Sequence, residues 1–302
     1  MKKKGLLVVF FFGGIMVTSG FGLQSMMQPP PEDNPGFTIT GTPADNYPDE
    51  LRPERCGSSN AKSTDYVQEF SIPTPCTNPL AIVTDYDGNV WFAQTNTGKL
   101  AKFDPFTERF TEYDNPLWPT GERSMMWGID YAPDGSVWFT DDRYDSIWKF
   151  STFDEKYGRL PYSSEENSMP QKLQIYGSQI IINDFTGNKL TLSDINPSSG
   201  DINYLSIPSP IDNSFTAGFV VDQNDYVWFT TWLPQQYGFL VKFNQNGYLD
   251  LARNSGEQFL PLRDFVELYK FPPELQAPNG VTASNDGTIW LADTTSSFFF
   301  SF

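Results

Sequence analysis

Histidine is missing from all 302 residues. That excludes every Ser-His-Asp and Cys-His catalytic arrangement and leaves any chemistry to carboxylates, Tyr, Lys, Arg or a metal held by oxygen ligands. Cysteine is nearly absent as well. Cys56 and Cys76 are the only two, and a lone pair without histidine implies no metal site. In an exported chain oxidants favour pairing them as a disulfide, the alternative being two separate thiols. Positive charge is scarce, with 20 Lys and Arg against 37 Asp and Glu, a formal net charge of −17. Such a surface repels phosphate backbones and anionic headgroups, so nucleic acid is excluded as a partner. There is no glycine-rich phosphate loop, nucleophile elbow or clustered set of zinc ligands, and no helical hydrophobic period stands out.

What is present suits a globular body, with 39% hydrophobic and 16% aromatic residues, enough to bury a large core. Lys2, Lys3 and Lys4 precede an apolar stretch from Gly5 to about Leu23, the layout of a secretory signal that is also nearly long enough to remain as an anchor. Residues 1–24 are thus expected to be a signal peptide or N-terminal anchor. Residues 25–64, with Pro29, Pro30, Pro31, Glu32, Asp33, Pro35, Pro43, Pro48, Asp49, Glu50 and Pro53, read as a Pro-rich acidic linker. Residues 65–302 form the body. This layout predicts a secreted or extracytoplasmic monomer that meets a membrane only through its N-terminal segment.

The body repeats. Leu80 to Gly88, Asn89 to Gln94, Lys99 to Phe103 and Arg109 to Tyr113 are four strand-like pieces, the first two joined by a glycine-bearing turn. The pattern returns as Gly128 to Asp141, Gly218 to Thr231 and Gly280 to Asp293, with a degenerate copy between the first two of these. The second-strand anchors Trp91, Trp138, Ile181, Trp228 and Trp290 are separated by 47, 43, 47 and 62 residues. This is the period of propeller blades once the last gap is credited with an insertion near Gln245 to Asp264. The predicted fold is all-β, a β-propeller of four-stranded blades with one indole wedged between neighbours. The turn Asp85-Tyr-Asp-Gly88 resembles the start of a calcium loop, but the twelfth position is Asn96 where Glu is needed, so it reads as a hairpin turn.

The third strand of the last repeat ends at Phe302, where the others continue into a fourth. Two closures fit. Asp65 to Ile72 resembles an outer strand and would complete a ring of five blades, leaving no exposed edge. Alternatively the chain is a piece of a ring of six or seven.

The Gly-Ile/Val start, the Asp-Gly turn, the Val-Trp-Phe-Thr strand and the Lys-Phe-Asp-Pro step resemble the virginiamycin B lyase (streptogramin lyase) family, from about Asp65 to Phe302. Ala277-Pro-Asn-Gly-Val281 with Trp290-Leu-Ala-Asp293 is similar to the gluconolactonase and senescence-marker propellers. The first resemblance implies a seven-bladed, metal-dependent lyase that opens a cyclic depsipeptide, using His and an acid near magnesium. The family pattern sets an acid just after the second strand and a His two residues on. The matching pairs are Gln94 and Asn96, Asp141 and Arg143, Asp184 and Thr186, Thr231 and Leu233, and Asp293 and Thr295, none with His. No catalytic residue is carried over.

Residues that begin first strands or follow second strands converge on one mouth of a propeller channel. Trp127, Asn279, Gln94 and Trp232 are the candidate ligand contacts. Asp141, Asp184 and Asp293 are candidate ligands for a magnesium or calcium ion, since converging carboxylates must either protonate or share a cation. Their alternative role is bonding to backbone N–H groups of neighbouring blades. Trp127, Trp232 and Trp118 could form an aromatic platform or pack on their own blades. Two functions follow: a module binding a small molecule or protein at the propeller face, or a metal-dependent lyase or lactonase acting on a cyclic ester.

Overall fold

Each predicted repeat folds as one antiparallel sheet in the computed structural model, which describes residues 61–118, 125–142, 144–162, 168–195, 202–234, 236–255, 261–296 and 298–302. The expected signal or anchor and nearly all of the linker lie outside these residues. The first blade is β1 (Pro79–Thr84), β2 (Val90–Gln94), β3 (Lys99–Asp104) and β4 (Arg109–Tyr113). The second is β5 (Ile129–Tyr131), β6 (Ser136–Asp141), β7 (Ser146–Ser151) and β8 (Lys156–Pro161). The third is β9 (Pro170–Tyr176), β10 (Gln179–Asp184), β11 (Lys189–Ile195) and β12 (Ile202–Pro208). The fourth is β13 (Phe215–Val221), β14 (Val227–Leu233), β15 (Tyr237–Phe243) and β16 (Val266–Lys270), and the fifth is β17 (Pro278–Ala283), β18 (Ile289–Asp293) and β19 (Phe299–Ser301). Every sheet is a meander, four-stranded in the first four blades and three-stranded in the fifth. The five are arranged as a β-propeller.

The turns explain the recurring Asp-Gly. Gly88, Gly135 and Gly287 take φ of 85°, 81° and 88°, a region that costs glycine little. Their N–H groups close back on the carbonyls of Asp85, Ala132 and Ser284 at 3.1, 3.0 and 2.9 Å. In the fourth blade Asp225 occupies the same place at φ 66°. These segments are hairpin turns, as the sequence predicts.

Second strands are buried on both faces, which is why they read as unbroken apolar runs. Trp91 is 2% exposed and packs against Val137, Phe139 and Phe150 of blade two. Trp138, 3% exposed, meets Leu173, Ile180 and Ile182 of blade three. Ile181 meets Phe219 and Phe229 of blade four, and Trp228, 7% exposed, meets Val281 and Leu291 of blade five. Each anchor thus faces the next blade along the chain. Burying such a side chain stabilises by several kcal/mol, roughly 3 to 5 for an indole lost to alanine. Trp290 is the exception to the predicted wedge, since it is 44% exposed on a face that no described sheet covers.

Polar side chains two places past the anchors tie the blades as well. Thr140 donates to the Gln171 carbonyl at 2.5 Å, Asn183 to that of Thr216 at 2.9 Å and Thr230 to that of Pro278 at 2.7 Å. Gly218 lets the inner strands approach, because a Cβ there would run into the Asn279 carbonyl.

Two expectations change. The insertion after β15 contains an α-helix, α1 (Gln245–Ser255), and a 3-10 turn at Leu262–Asp264. Asn244 caps the helix, its Oδ1 accepting the Gly247 N–H at 2.9 Å, while Tyr248 and Leu249 bury against Phe243 and Val241. Secondly, Asp65 to Ile72 does not supply a fourth strand to the last blade. Phe70 and Ile72 instead pack on Phe92, Ala101 and Phe103 at the outer face of blade one, and Ser63 bridges Gln68 locally. On that apolar face Phe70 and Ile72 become partly buried.

Candidate functional site at the channel mouth

The loops after the second strands and the segments entering the first strands form one face, and in each blade they are stapled together. Backbone bonds run from Asn96 N–H to the Thr77 carbonyl, from Phe185 to Met169 and from Thr294 to Ala277, all at 3.0 Å. Register shifts at Pro79/Ile82, Ile182/Asp184, Thr216/Phe219 and Pro278/Gly280 bend the strands just below this face, as bulges beside sites commonly do.

Side chains reinforce the staples. Asp184 accepts from the Met169 and Gly187 N–H groups at 2.7 and 2.9 Å and from Ser168 Oγ at 2.7 Å. Asp293 accepts the Ala277 N–H at 2.7 Å and Thr295 Oγ1 at 2.9 Å. In blade two the role slips by one residue: Asp142 takes the Met125 N–H at 2.9 Å and Trp127 Nε1 at 3.0 Å. Asp141 turns inward to the Tyr144 N–H at 3.3 Å and Trp148 Nε1 at 3.0 Å. In blade four Thr231 Oγ1 bonds the Ser214 and Ser209 hydroxyls at 2.5 and 2.7 Å.

The three acids singled out for a metal therefore each spend lone pairs on N–H and O–H donors. Among the described residues no group of three or more His, Cys, Asp or Glu side chains is placed to hold a metal ion. Each of these carboxylates thus already has protein donors among the described residues.

Asp145 was not singled out by sequence, and it is the distinctive group. It sits in the loop between β6 and β7 at φ 42°. Its carbonyl accepts the Tyr162 N–H at 2.6 Å, and among the described residues its carboxyl has no hydrogen-bond partner. Partial burial, with Asp184, Asp141 and Asp142 close by, pushes it up to about 6. Asp141 and Asp184 are thus brought together around Asp145, whereas Asp293 is not among the charges acting on it. Spacing gave no signal for Asp145, because its unusual state depends on burial and on the gathering of Asp184, Asp141 and Asp142 around it in the folded chain.

The other candidates are placed as follows. Gln94 is fully buried, its Nε2 donating to Glu112 at 2.7 Å. Trp127 is half-buried on Asp142, and Asn279 is exposed. Trp232 is buried among Phe185, Phe215 and Ala277, with its Nε1 lacking a hydrogen-bond partner among the described residues. Trp118 is buried 5.7 Å from the Trp148 ring, so neither forms an open platform with Trp127. Cys76 is buried and disulfide-bonded, while Cys56 lies outside the described residues.

A family model described as the Virginiamycin B lyase family matches residues 24–298. A streptogramin B lyase structure aligns over 76% of this chain and 66% of its own at 20% identity, TM-score 0.58. The chain thus spans a little under two thirds of that relative's length. A selenomethionine-substituted virginiamycin B lyase from Staphylococcus aureus aligns over 75% and 70% at 19% identity, TM-score 0.53. A periplasmic gluconolactonase from Pseudomonas aeruginosa aligns over 74% and 65% at 10% identity, TM-score 0.51. At these identities the likeness concerns the fold. No curated protein matches the chain.

Proposed function

Because the chain belongs to the virginiamycin B lyase family and contains no histidine, we propose that it is an extracytoplasmic binding module whose mouth face engages a small molecule or a protein partner. The observation that carries this reading is the division of labour among the mouth acids. Asp142, Asp184 and Asp293 hold loops, whereas the Asp145 carboxyl has no hydrogen-bond partner among the described residues. A half-buried carboxyl that titrates near 6 suits a ligand's amine, amide or hydroxyl, donating when protonated and accepting when ionised. The Trp127 ring, bonded through Nε1 to the neighbouring Asp142, adds an apolar wall. The lysines before the apolar N-terminal stretch, the disulfide-bonded Cys76 and the periplasmic setting of the gluconolactonase neighbour support a place outside the cytoplasm. Among the described residues no helix is long and apolar enough to cross a membrane.

The test is elemental analysis of the purified protein combined with melting in the presence and absence of a chelator, followed by a thermal-shift screen of amines and hydroxylated small molecules on the parent and Asp145→Asn. Unchanged melting with chelator, and a ligand whose shift is lost in Asp145→Asn, support the module. A stoichiometric magnesium or calcium ion whose removal lowers the melting temperature supports the metal-dependent lyase or lactonase and overturns the binding reading.

A further inference from the structure

A cleft of about 520 Å³ opens between the start of β15 and the connection from β16 to β17, within the size range of small-molecule sites. It is lined by Gln236, Tyr237, Lys270, Phe271, Leu275 and Gln276, with Gly238, Pro272 and Pro273. Its chemistry differs from that of the surrounding surface. The chain carries 37 acidic residues, yet not one of them lines the cleft, whose single charge is Lys270. Six other lysines are engaged: Lys99, Lys149, Lys156, Lys189 and Lys242 face carboxylates, and Lys172 donates to the Phe219 carbonyl at 2.6 Å. Among the described residues the Lys270 ammonium has no such partner.

The walls are preformed. The Phe271 N–H donates to the Gly238 carbonyl at 3.0 Å and the Leu275 N–H to that of Pro272 at 3.1 Å. Two consecutive prolines fix the turn between them. Phe271 and Leu275 are buried as an apolar floor. The Phe271 ring lies where a side chain at position 238 would be, since a Cβ on Gly238 would stand 2.7 Å from it. The Tyr237 ring is held edge-on to Phe239 at 5.9 Å, and Gln236 and Gln276 add neutral donors and acceptors.

We propose that this cleft binds a small amphipathic monocarboxylate, its carboxylate on Lys270 and the flanking amides and its aromatic or branched aliphatic group on Phe271 and Leu275. The assignment concerns a different group of residues from the mouth acids and stands whether or not the mouth takes a ligand. The two local features it needs, one unpaired cation and an acid-free apolar floor, select a carboxylate over a neutral ring because a charge-assisted bond is stronger than a neutral one.

The test is calorimetric titration of the whole chain with 3-phenylpropionate, with its neutral amide, and with N-acetylglycylphenylalanine, which presents the same chemistry as a peptide terminus. Saturable binding of the acid, about tenfold tighter than the amide, is expected. That margin should vanish in Lys270→Gln, and in Gln276→Glu, an exposed position where an acid repels the carboxylate and spares the amide. Tighter binding of the dipeptide than of the free acid would support the site and identify a peptide terminus as its source. Equal binding of acid and amide, no saturation by any of the three, or an unchanged margin in Lys270→Gln would overturn it.

Discussion

Thr230 is fully buried, and its hydroxyl spans two blades by donating to the Pro278 carbonyl at 2.7 Å. Valine keeps its shape and removes the donor, leaving a buried carbonyl without this bond. Thr230→Val is therefore expected to cost about 1 to 3 kcal/mol in denaturant unfolding. The threonine in the Val-Trp-Phe-Thr run is thus explained by the neighbouring blade, as are Thr140 and Asn183 at the equivalent places. Asp145 supplies the pH dependence. Its carboxyl is raised from 3.8 to about 6, so the folded state holds this proton more tightly than the unfolded chain. Stability from this group is full below about pH 4 and is lost as pH rises toward 6. Asp145→Asn should melt above the parent at pH 7, and the two should converge near pH 4 in paired melting curves. Equal melting temperatures at pH 7 would show that solvent screens the site.

At the level of elements, strands and turns were legible because their signals are local: Asp-Gly turns, unbroken apolar second strands and an anchor at each repeat. Helix α1 was not, since Asn246, Gly247, Asp250 and Asn254 are weak helix formers and the helix persists by docking Tyr248 and Leu249 on blade four. Tyr248 lies edge-on to both Phe243 and Phe265, at 5.6 and 5.3 Å. Tyr248→Ala is expected to cost about 3 kcal/mol and to lower helical ellipticity in circular dichroism. In the mouth, sequence placed acids after the second strands and offered backbone N–H groups as partners, but set those partners on neighbouring blades, whereas Asp184 and Asp293 bond within their own. The shift of the staple from Asp141 to Asp142 follows from the Trp148 indole, which draws Asp141 inward. Asp145 acquires its state from burial together with Asp184 of the next blade and Asp141 and Asp142 of its own. The Lys270 cleft escaped for the same reason, being assembled across a strand start and an inter-blade connection.

Across the whole blade series, identical-looking tryptophans carry unequal weight. Trp228 is closed in by blade five, its Nε1 bonded to Asp222 at 2.7 Å. Trp290 is 44% exposed, and among the described residues its Nε1 bonds to Ser284 at 3.3 Å. Trp228→Ala should cost roughly 3 to 5 kcal/mol, and Trp290→Ala less than about 1, when both are measured by chemical denaturation. Comparable losses would mean that something covers Trp290 in solution. The sequence pattern made these two residues equivalent because a repeat encodes what each blade presents, and the partner it meets is set by position in the series.

Beside Trp290, among the described residues, the β19 strand leaves one side unpaired, with Phe299 78% exposed next to it. A sticky rim of this kind is held in check by mutual repulsion, which a charge of −17 provides in dilute buffer. That repulsion shortens to about 10 Å at 0.1 M salt and 3 Å at 1 M, while contact between apolar rims loses nothing. Salting should therefore turn a well-dispersed solution cloudy, and the brine that usually calms an acidic protein would be the wrong storage medium for this one.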